Sequence, residues 1–177
     1  MKSAPLALLL LVLAAPSLGQ TSALKGHNTD APIDFDAARI EVRDKDDQAL
    51  LTGDVKIRQA ELTLDADSVK IFYLRPKVGE PQVRRLDAQG NVRLVSPGEK
   101  ARGRYAIYDV QQKLITLIGD VVLDRGASQL RGQRLAIDLD TGRATLDGAN
   151  AAAKPGALPP SGGRVSGRFV VPPRAKS

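Results

Sequence analysis

The sequence contains no cysteine, no tryptophan and a single histidine, and aromatic residues make up only 3% of its 177 residues. Without cysteine, neither disulfide bonds nor thiolate nucleophiles and thiolate metal sites are available. The scarcity of aromatic rings argues against a stacking platform for single-stranded nucleic acid, so we predict no nucleic-acid partner. His27 stands beside Asn28 in a polar stretch, where we expect a mobile linker residue rather than a general base. Because this histidine lacks a strand to hold it near an acid, no Ser/His/Asp set forms and we predict no enzyme.

The excess of basic residues gives a net charge of +6 at pH 7. Such a charge suits anionic partners, but the basic residues are interleaved with acids on the predicted polar strand faces, which favours a solvated surface. Two carboxylate pairs, Asp65/Asp67 and Asp138/Asp140, could supply oxygen ligands for Ca²⁺. At a spacing of i, i+2 each pair lies on one strand face, the face in contact with water. We therefore predict neither a metal nor a cofactor.

Long apolar runs are absent, apart from one of about ten residues at positions 6–15. Lys2 precedes this run and small residues follow it up to Gly19, which is the arrangement of a secretory signal peptide. The run is too short to span a bilayer, which takes about 20 residues. We predict a signal peptide at 1–19, cleaved after Gly19, and a flexible leader at 20–30. An uncleaved membrane anchor is the alternative.

One module recurs three times in the same register and organises the rest of the chain. Residues 49–57 read ALLTGDVKI, residues 86–94 read LDAQGNVRL, residues 115–123 read ITLIGDVVL, and a fragment at 144–148 begins a fourth copy. Each copy of such a repeat buries its apolar face only against its neighbours. Apolar residues stand two and four positions after each module glycine with polar residues between them, and this alternation is typical of strands with one buried face. We predict an all-β fold, an elongated stack of strands.

The alternation changes phase twice in each copy. The first change falls at 58–61, 95–98 and 124–127, and two of these segments contain the Pro or Gly that hairpin turns favour. Each module glycine stands inside a strand pattern and is followed by Asp or Asn, which predicts a β-bulge or a sharp bend that carries the strand from one sheet to another. A second point of close approach is predicted at the small residues Ala66, Gly103 and Gly132.

The flanks of the repeat differ from it in composition. Residues 31–42 alternate and predict an opening strand pair, and an insertion at 75–81 explains the longer spacing of the first two modules. Residues 149–177 begin as an Ala/Pro/Gly-rich linker, include a candidate short strand at 164–171 and end in a polar, disordered tail. We therefore predict one domain at 31–148, followed by this linker region.

Three features of the domain resemble the LptA family, the periplasmic lipopolysaccharide-transport proteins with an OstA-like domain. The first is the signal peptide followed by PIDFDA at 32–37 and RIE at 39–41. The second is GDV at 53–55, repeated as GNV and GDV in the later modules, where the family has a Gly-Asn-Val-like turn into the next strand. The third is a small-residue strand motif, found at 66–67, 103–106 and 132–133. The resemblance covers residues 31–148.

This resemblance implies an OstA-like β-jelly roll in which two antiparallel sheets fold into a V-shaped open groove. It implies a periplasmic carrier of Gram-negative outer-membrane biogenesis that shields the lipid A acyl chains of lipopolysaccharide in this groove. It also implies end-to-end stacking with copies of itself and with OstA-like partners, which links the inner-membrane export machinery to the outer-membrane translocon. The chain departs from the family at Gln59-Ala60, where the family often has Gln-Gly.

The inward apolar positions are the candidate lining of the groove. An acyl chain gains about 0.8 kcal/mol per buried methylene, so Ile, Leu and Val side chains can hold a lipid without polar recognition. The same residues would equally form an ordinary packed β core, and that alternative stays open. The candidate lipid-binding residues are Phe35, Ile40, Val42, Leu51, Val55, Ile57, Leu62, Leu64, Val69, Ile71, Val92, Leu94, Ile115, Leu117, Val121, Leu123, Leu130, Leu135 and Ile137.

The strand at 33–42 is a candidate partner edge, through Ile33, Phe35, Ile40 and Val42, because an unpaired strand edge invites strand addition by another chain. A plain capped terminus is the alternative. For the whole chain, the alternatives to a lipid carrier are a structural β-repeat scaffold or adhesin with a fully packed core, and a membrane-anchored OstA-like partner of the same pathway. A hydrolase ranks last because the sequence offers no nucleophile–base pair.

Overall fold

The computed structural model describes residues 24–148 and 164–168, so the predicted signal peptide, most of the 149–177 region and its tail lie outside it. The one helical element within these residues is a 3₁₀ turn at Asp44–Asp46, and no helix there is long and apolar enough to cross a membrane. The strands are β1 (Ile33–Asp36), β2 (Arg39–Arg43), β3 (Gln48–Gln59), β4 (Leu62–Leu74), β5 (Gln82–Ser96), β6 (Glu99–Asp109), β7 (Leu114–Arg125), β8 (Ser128–Asp138), β9 (Ala144–Asp147) and β10 (Ser166–Arg168).

All of these strands belong to one antiparallel sheet. Their order across the sheet is β1, β3, β4, β5, β6, β7, β8 and β10, while β2 also pairs with β3 and β9 also pairs with β8. Tight turns at 60–61, 97–98 and 126–127 join successive strands where the sequence predicts hairpins. The predicted opening strand pair is corrected, because β1 and β2 pair with β3, end to end along one edge, rather than with each other.

Each module glycine lies in a β-bulge, as predicted. Both residues of Gly53–Asp54, Gly90–Asn91 and Gly119–Asp120 have positive φ, and the register of the strand pair shifts at each. A positive φ costs a residue with a side chain about 1–2 kcal/mol. Glycine avoids this cost, and Asp and Asn tolerate the conformation better than most residues. Because a bulge bends and twists its strand, three aligned bulges bend the whole sheet.

The row of bulges divides the sheet into two halves that face each other. The Gln59 half comprises residues 55–59, 62–66, 92–96, 99–103, 121–125 and 128–132, and the Tyr108 half comprises residues 48–52, 68–74, 82–89, 105–109, 114–118 and 134–138. The hydroxyl of Tyr108 donates a 2.7 Å hydrogen bond to Oε1 of Gln59 across the space between them. The all-β prediction is confirmed, and the two sheets expected in it are the halves of one continuous hydrogen-bonded sheet.

The hydrophobic core lies between these halves. Its fully buried side chains include Leu51, Leu86, Ile115, Leu117 and Leu135. Burying one such side chain contributes about 1.5–3 kcal/mol, and every module supplies several. The repeat therefore stabilises the domain by adding inward apolar rows strand by strand.

The small residues Ala66, Gly103 and Gly132 lie directly opposite the valine that follows each bulge. A Cβ on Gly132 would come 2.7 Å from the carbonyl oxygen of Asp147, and one on Gly103 would come 3.3 Å from that of Ile118. The predicted second point of close approach is therefore confirmed at Gly103 and Gly132, and at Gly132 the backbone of β9 leaves room only for a glycine.

Candidate functional site

The residues predicted to line a groove all lie on the inward face of the sheet, as their register requires. Phe35, Ile40 and Val42 are 51%, 47% and 56% exposed because β1 and β2 form an edge of the sheet. Leu130 is half-buried near the opposite edge. The remaining candidates are buried, namely Leu51, Val55, Ile57, Leu62, Leu64, Val69, Ile71, Val92, Leu94, Ile115, Leu117, Val121, Leu123, Leu135 and Ile137.

In the centre of the molecule, these side chains almost fill the space between the halves. An apolar cavity of about 10 Å³ is left, with Ile57, Leu64 and Leu94 of the Gln59 half on one side and Leu86 and Ile115 of the Tyr108 half on the other. A cavity of this size holds about one water molecule. In this structure the candidate lining is therefore packed as a core.

Gln59 is a polar residue on this inward apolar face, and it is only 2% exposed. Its Nε2 donates hydrogen bonds of 2.8 Å and 2.9 Å to the carbonyl oxygens of Thr29 and Ala31. Its Oε1 accepts the Tyr108 hydroxyl and lies 3.2 Å from Nε2 of His27. A buried amide without partners costs about 1–3 kcal/mol, so these contacts are needed to keep Gln59 inside.

Residues 24–31, here called the strap, run across the gap between the ends of the two halves. Leu24 is 4% exposed and belongs to the core cluster. The N–H of Gly26 donates a 3.1 Å hydrogen bond to the carbonyl oxygen of Leu139, just beyond the Tyr108 half. The strap then meets Gln59 on the other half. His27, expected in a mobile linker, is instead half-buried at this contact, because Gln59 and Leu24 hold the segment against the core.

The environment at the centre of this junction disfavours charge. Burial raises the pKa of the Tyr108 hydroxyl, and the negative charge of Asp30 raises it further. The hydroxyl therefore stays protonated and remains a hydrogen-bond donor to Gln59 at physiological pH. The junction is a set of hydrogen bonds at the margin of an apolar interior.

Three of the four carboxylates considered as Ca²⁺ ligands have partners within the protein, whereas Oδ1 of Asp65 is buried without a hydrogen bond from the described residues. Oδ1 of Asp138 accepts the N–H groups of Asp140 and Thr141, and the hydrogen bond from Thr141 is the main cause of a lowered Asp138 pKa. Asp140 pairs with Lys113 at 2.9 Å, and Asp67 accepts hydrogen bonds from Asn91. Over residues 24–148 and 164–168, no three His, Cys, Asp or Glu side chains cluster as a metal site would require.

The two edges of the sheet are each made of two short strands. At one edge β1 and β2 both pair with β3, and at the other edge β9 and β10 both pair with β8. Of the residues predicted for partner contact, Ile33 is half-buried, whereas Phe35, Ile40 and Val42 are exposed on the inward face. The apolar interior therefore reaches the surface along the β1–β2 edge.

Sequence reasoning missed several residues of this interior. Leu86 was not predicted to line the interior, although it begins the second module at the position equivalent to Ile115, which was predicted. Leu86 is fully buried. Extending the alternation of Val55 and Ile57 by one step would have placed Gln59 inside as well. No local signal marks Leu24, because its burial depends on contacts with distant strands.

Comparisons with known proteins agree with this architecture. A family model described as LptA/(LptD N-terminal domain) LPS transport protein matches residues 34–143. An uncharacterized protein of Rhizobium meliloti (strain 1021) is 31% identical over 125 residues, which are 68% of this chain and 67% of that protein. LptH of Pseudomonas aeruginosa, the LptA-homologous periplasmic component of its lipopolysaccharide transport device, has a similar fold, with a TM-score of 0.67 and 18% identity over 82% of this chain and 99% of that one. The resemblance inferred from the modules is confirmed, and this chain belongs to the LptA/(LptD N-terminal domain) LPS transport protein family.

Proposed function

We propose that this chain is a non-enzymatic periplasmic carrier of lipopolysaccharide that takes the lipid A acyl chains into the space between the two halves of its sheet. The observation that carries this proposal is an inward face that is predominantly apolar on every long strand, in a chain of this family. At about 0.8 kcal/mol per buried methylene, several acyl chains gain enough from such a face without polar recognition. The lining residues predicted from the sequence are the residues we expect to contact them.

The periplasmic location is part of the proposal. It is supported by the signal-peptide pattern at 1–19 and by the periplasmic location stated for LptH, which has a similar fold. Export through a cleaved signal peptide would leave residues 20–30 as the leader of the mature chain.

We further propose that copies of this chain stack end to end, together with OstA-like partners, to link the inner-membrane export machinery to the outer-membrane translocon. Two features support this extension. Unpaired strand edges favour the addition of strands from another chain. Phe35, Ile40 and Val42 leave apolar surface exposed on the inward face of the β1–β2 edge, where a neighbouring copy would cover it.

Site-directed photocrosslinking in cells tests the carrier function. A photoreactive amino acid replaces Leu64 or Leu123, which point inward. In the control variants it replaces Thr63, which points outward on the same strand as Leu64, or Lys56, which points outward on the neighbouring β3. After irradiation, a lipopolysaccharide-specific blot should detect adducts from the inward positions alone. Circular dichroism of each purified variant confirms that the sheet has formed.

A structural scaffold with a permanently packed core is the second candidate, favoured by the cavity of only about 10 Å³ between the halves. It predicts protein adducts but no lipid adducts from Leu64 and Leu123. Equal lipid adducts from inward and outward positions would contradict the carrier proposal too, because they would indicate unspecific contact with membranes.

A further inference from the structure

Lipid can reach the interior only if the two halves move apart. The inward residues Val55, Leu64 and Leu117 are 1%, 3% and 0% exposed, and the cavity between the halves has room for about one water molecule. The row of bulges joins the halves covalently and by hydrogen bonds at one side, so separation must begin at the opposite side, where the strands end in turns. The following inference rests on the proposed carrier function.

The contacts that cross this open side converge on Gln59. The Tyr108 hydroxyl reaches it directly from the opposite half at 2.7 Å. The strap reaches it through the Thr29 and Ala31 carbonyls and through His27. One side chain therefore connects the Gln59 half to the Tyr108 half and connects both to the strap.

The strap is fixed at a second point by apolar and backbone contacts. Leu24 inserts into the core with 4% exposure, and Gly26 is hydrogen-bonded to Leu139. Leu24 thus occupies apolar space at the margin of the interior that an acyl chain would also favour. Its displacement would cost little if a segment of an acyl chain of similar size took its place, because both would bury similar apolar surface.

We propose that the strap closes the entrance to the lipid-binding interior and that Gln59 is the positioning residue that holds it closed. Lipid loading releases the strap, since the halves cannot separate while Gln59 bonds to Tyr108 and the strap bonds both to Gln59 and to Leu139. An apolar residue at position 59 would continue the row of Val55 and Ile57, so the amide serves the junction rather than the core. When the chain releases its lipid, the strap returns and covers the apolar margin.

Hydrogen exchange of the unmodified mature chain with purified lipopolysaccharide tests the strap. In the structure the N–H groups of Gly26, His27 and Ala31 are hydrogen-bonded. We expect their exchange to accelerate by about tenfold or more on lipid loading, whereas a bound ligand ordinarily slows exchange near its site. Slower or unchanged exchange across residues 24–31 with lipid bound would contradict the proposed release of the strap, but it would leave the carrier function unaffected.

The variant Gln59→Leu tests the positioning role. It removes the amide while preserving inward bulk, and the matched control Gln89→Leu makes the same change at an exposed position of β5. We expect Gln59→Leu to take up lipopolysaccharide about tenfold faster than the unmodified chain, as loss of one or two net hydrogen bonds would allow, and Gln89→Leu to match the unmodified chain. Equal uptake by all three chains contradicts the proposal, and absence of lipid binding in all three overturns the carrier function with it. If Gln59→Leu does not fold, the hydrogen-exchange experiment on the unmodified chain tests the proposal instead.

Discussion

Gly53, Gly90 and Gly119 each combine a positive φ with close contact to a neighbouring side chain. A Cβ on Gly53 would lie 2.7 Å from Cβ of Ala38, and one on Gly90 would overlap the carboxylate of Asp67. At Gly90 the neighbouring Asn91 donates hydrogen bonds to that same Asp67. The bend of the sheet therefore depends on glycine for two separate reasons, backbone conformation and space.

The variants Gly90→Ala and Gly98→Ala separate these two reasons. Both glycines have similar positive φ values, 80° and 77°, but a Cβ on Gly98 meets nothing within 4 Å. We expect Gly98→Ala to lower the free energy of unfolding by about 1–2 kcal/mol through backbone strain alone. Gly90→Ala should lower the free energy of unfolding by more than this, because Asp67 must also move away from Asn91. Urea denaturation measures both losses, and equal values would contradict a role for contact in the bulge.

At the scale of elements, much of the sheet could be predicted from the sequence. Period-two alternation around the module glycines identified inward residues on β3, β4, β5, β7 and β8, and Gly-Asp or Gly-Asn inside a strand identified the bulges. Both signals are local, because they depend on residues a few positions apart. The residues predicted to be inward on these strands do lie inward, although Leu86 on β5 and Gln59 on β3 were missed.

Elements that depend on distant contacts could not be read in this way. The bulge at Gly53–Asp54 separates the parts of β3 that bind β1 and β2, so pairing of the opening strands follows from β3 rather than from their own alternation. The strap has no periodic pattern, and its place is decided by Gln59, about thirty residues away in sequence. Because most residues of the strap are polar, the burial of Leu24 at its end could not be predicted from the sequence.

Deleting Asn91 tests whether the bulge sets the face of a strand. Because successive side chains alternate, removal of one residue turns either the part of β5 before the bulge or the part after it to the other face. Val92 and Leu94 would then point outward or pair out of register, and we expect loss of cooperative unfolding. Deleting Gly79, in the exposed 75–81 loop, should change the free energy of unfolding by only about 0.5 kcal/mol. A folded, cooperative protein lacking Asn91 would show that the register tolerates the shift.

At the scale of the whole molecule, the sheet is open and carries its apolar surface on one face. Its halves cover that face in the middle, while the β1–β2 edge leaves Phe35, Ile40 and Val42 exposed. Such a sheet can bury its interior in two ways, by closing on itself or by enclosing a lipid. The absence of cysteine means that no disulfide bond fixes the closed arrangement. The proposed function thus requires that the distance between the halves changes with lipid loading.

The most direct test is the distance between spin labels on the two halves, measured by pulsed electron paramagnetic resonance. The chain has no native cysteine, so spin labels attach only at introduced cysteines. Glu61→Cys, in the turn after β3, labels the Gln59 half, and Gln111→Cys, in the turn after β6, labels the Tyr108 half. A control pair, Glu61→Cys with Lys100→Cys, lies within the Gln59 half. On loading with lipopolysaccharide we expect the first distance to lengthen by about 5 Å, half the separation of packed sheets, and the control distance to stay constant. Bound lipid with an unchanged distance between the halves would contradict a lipid site in the interior.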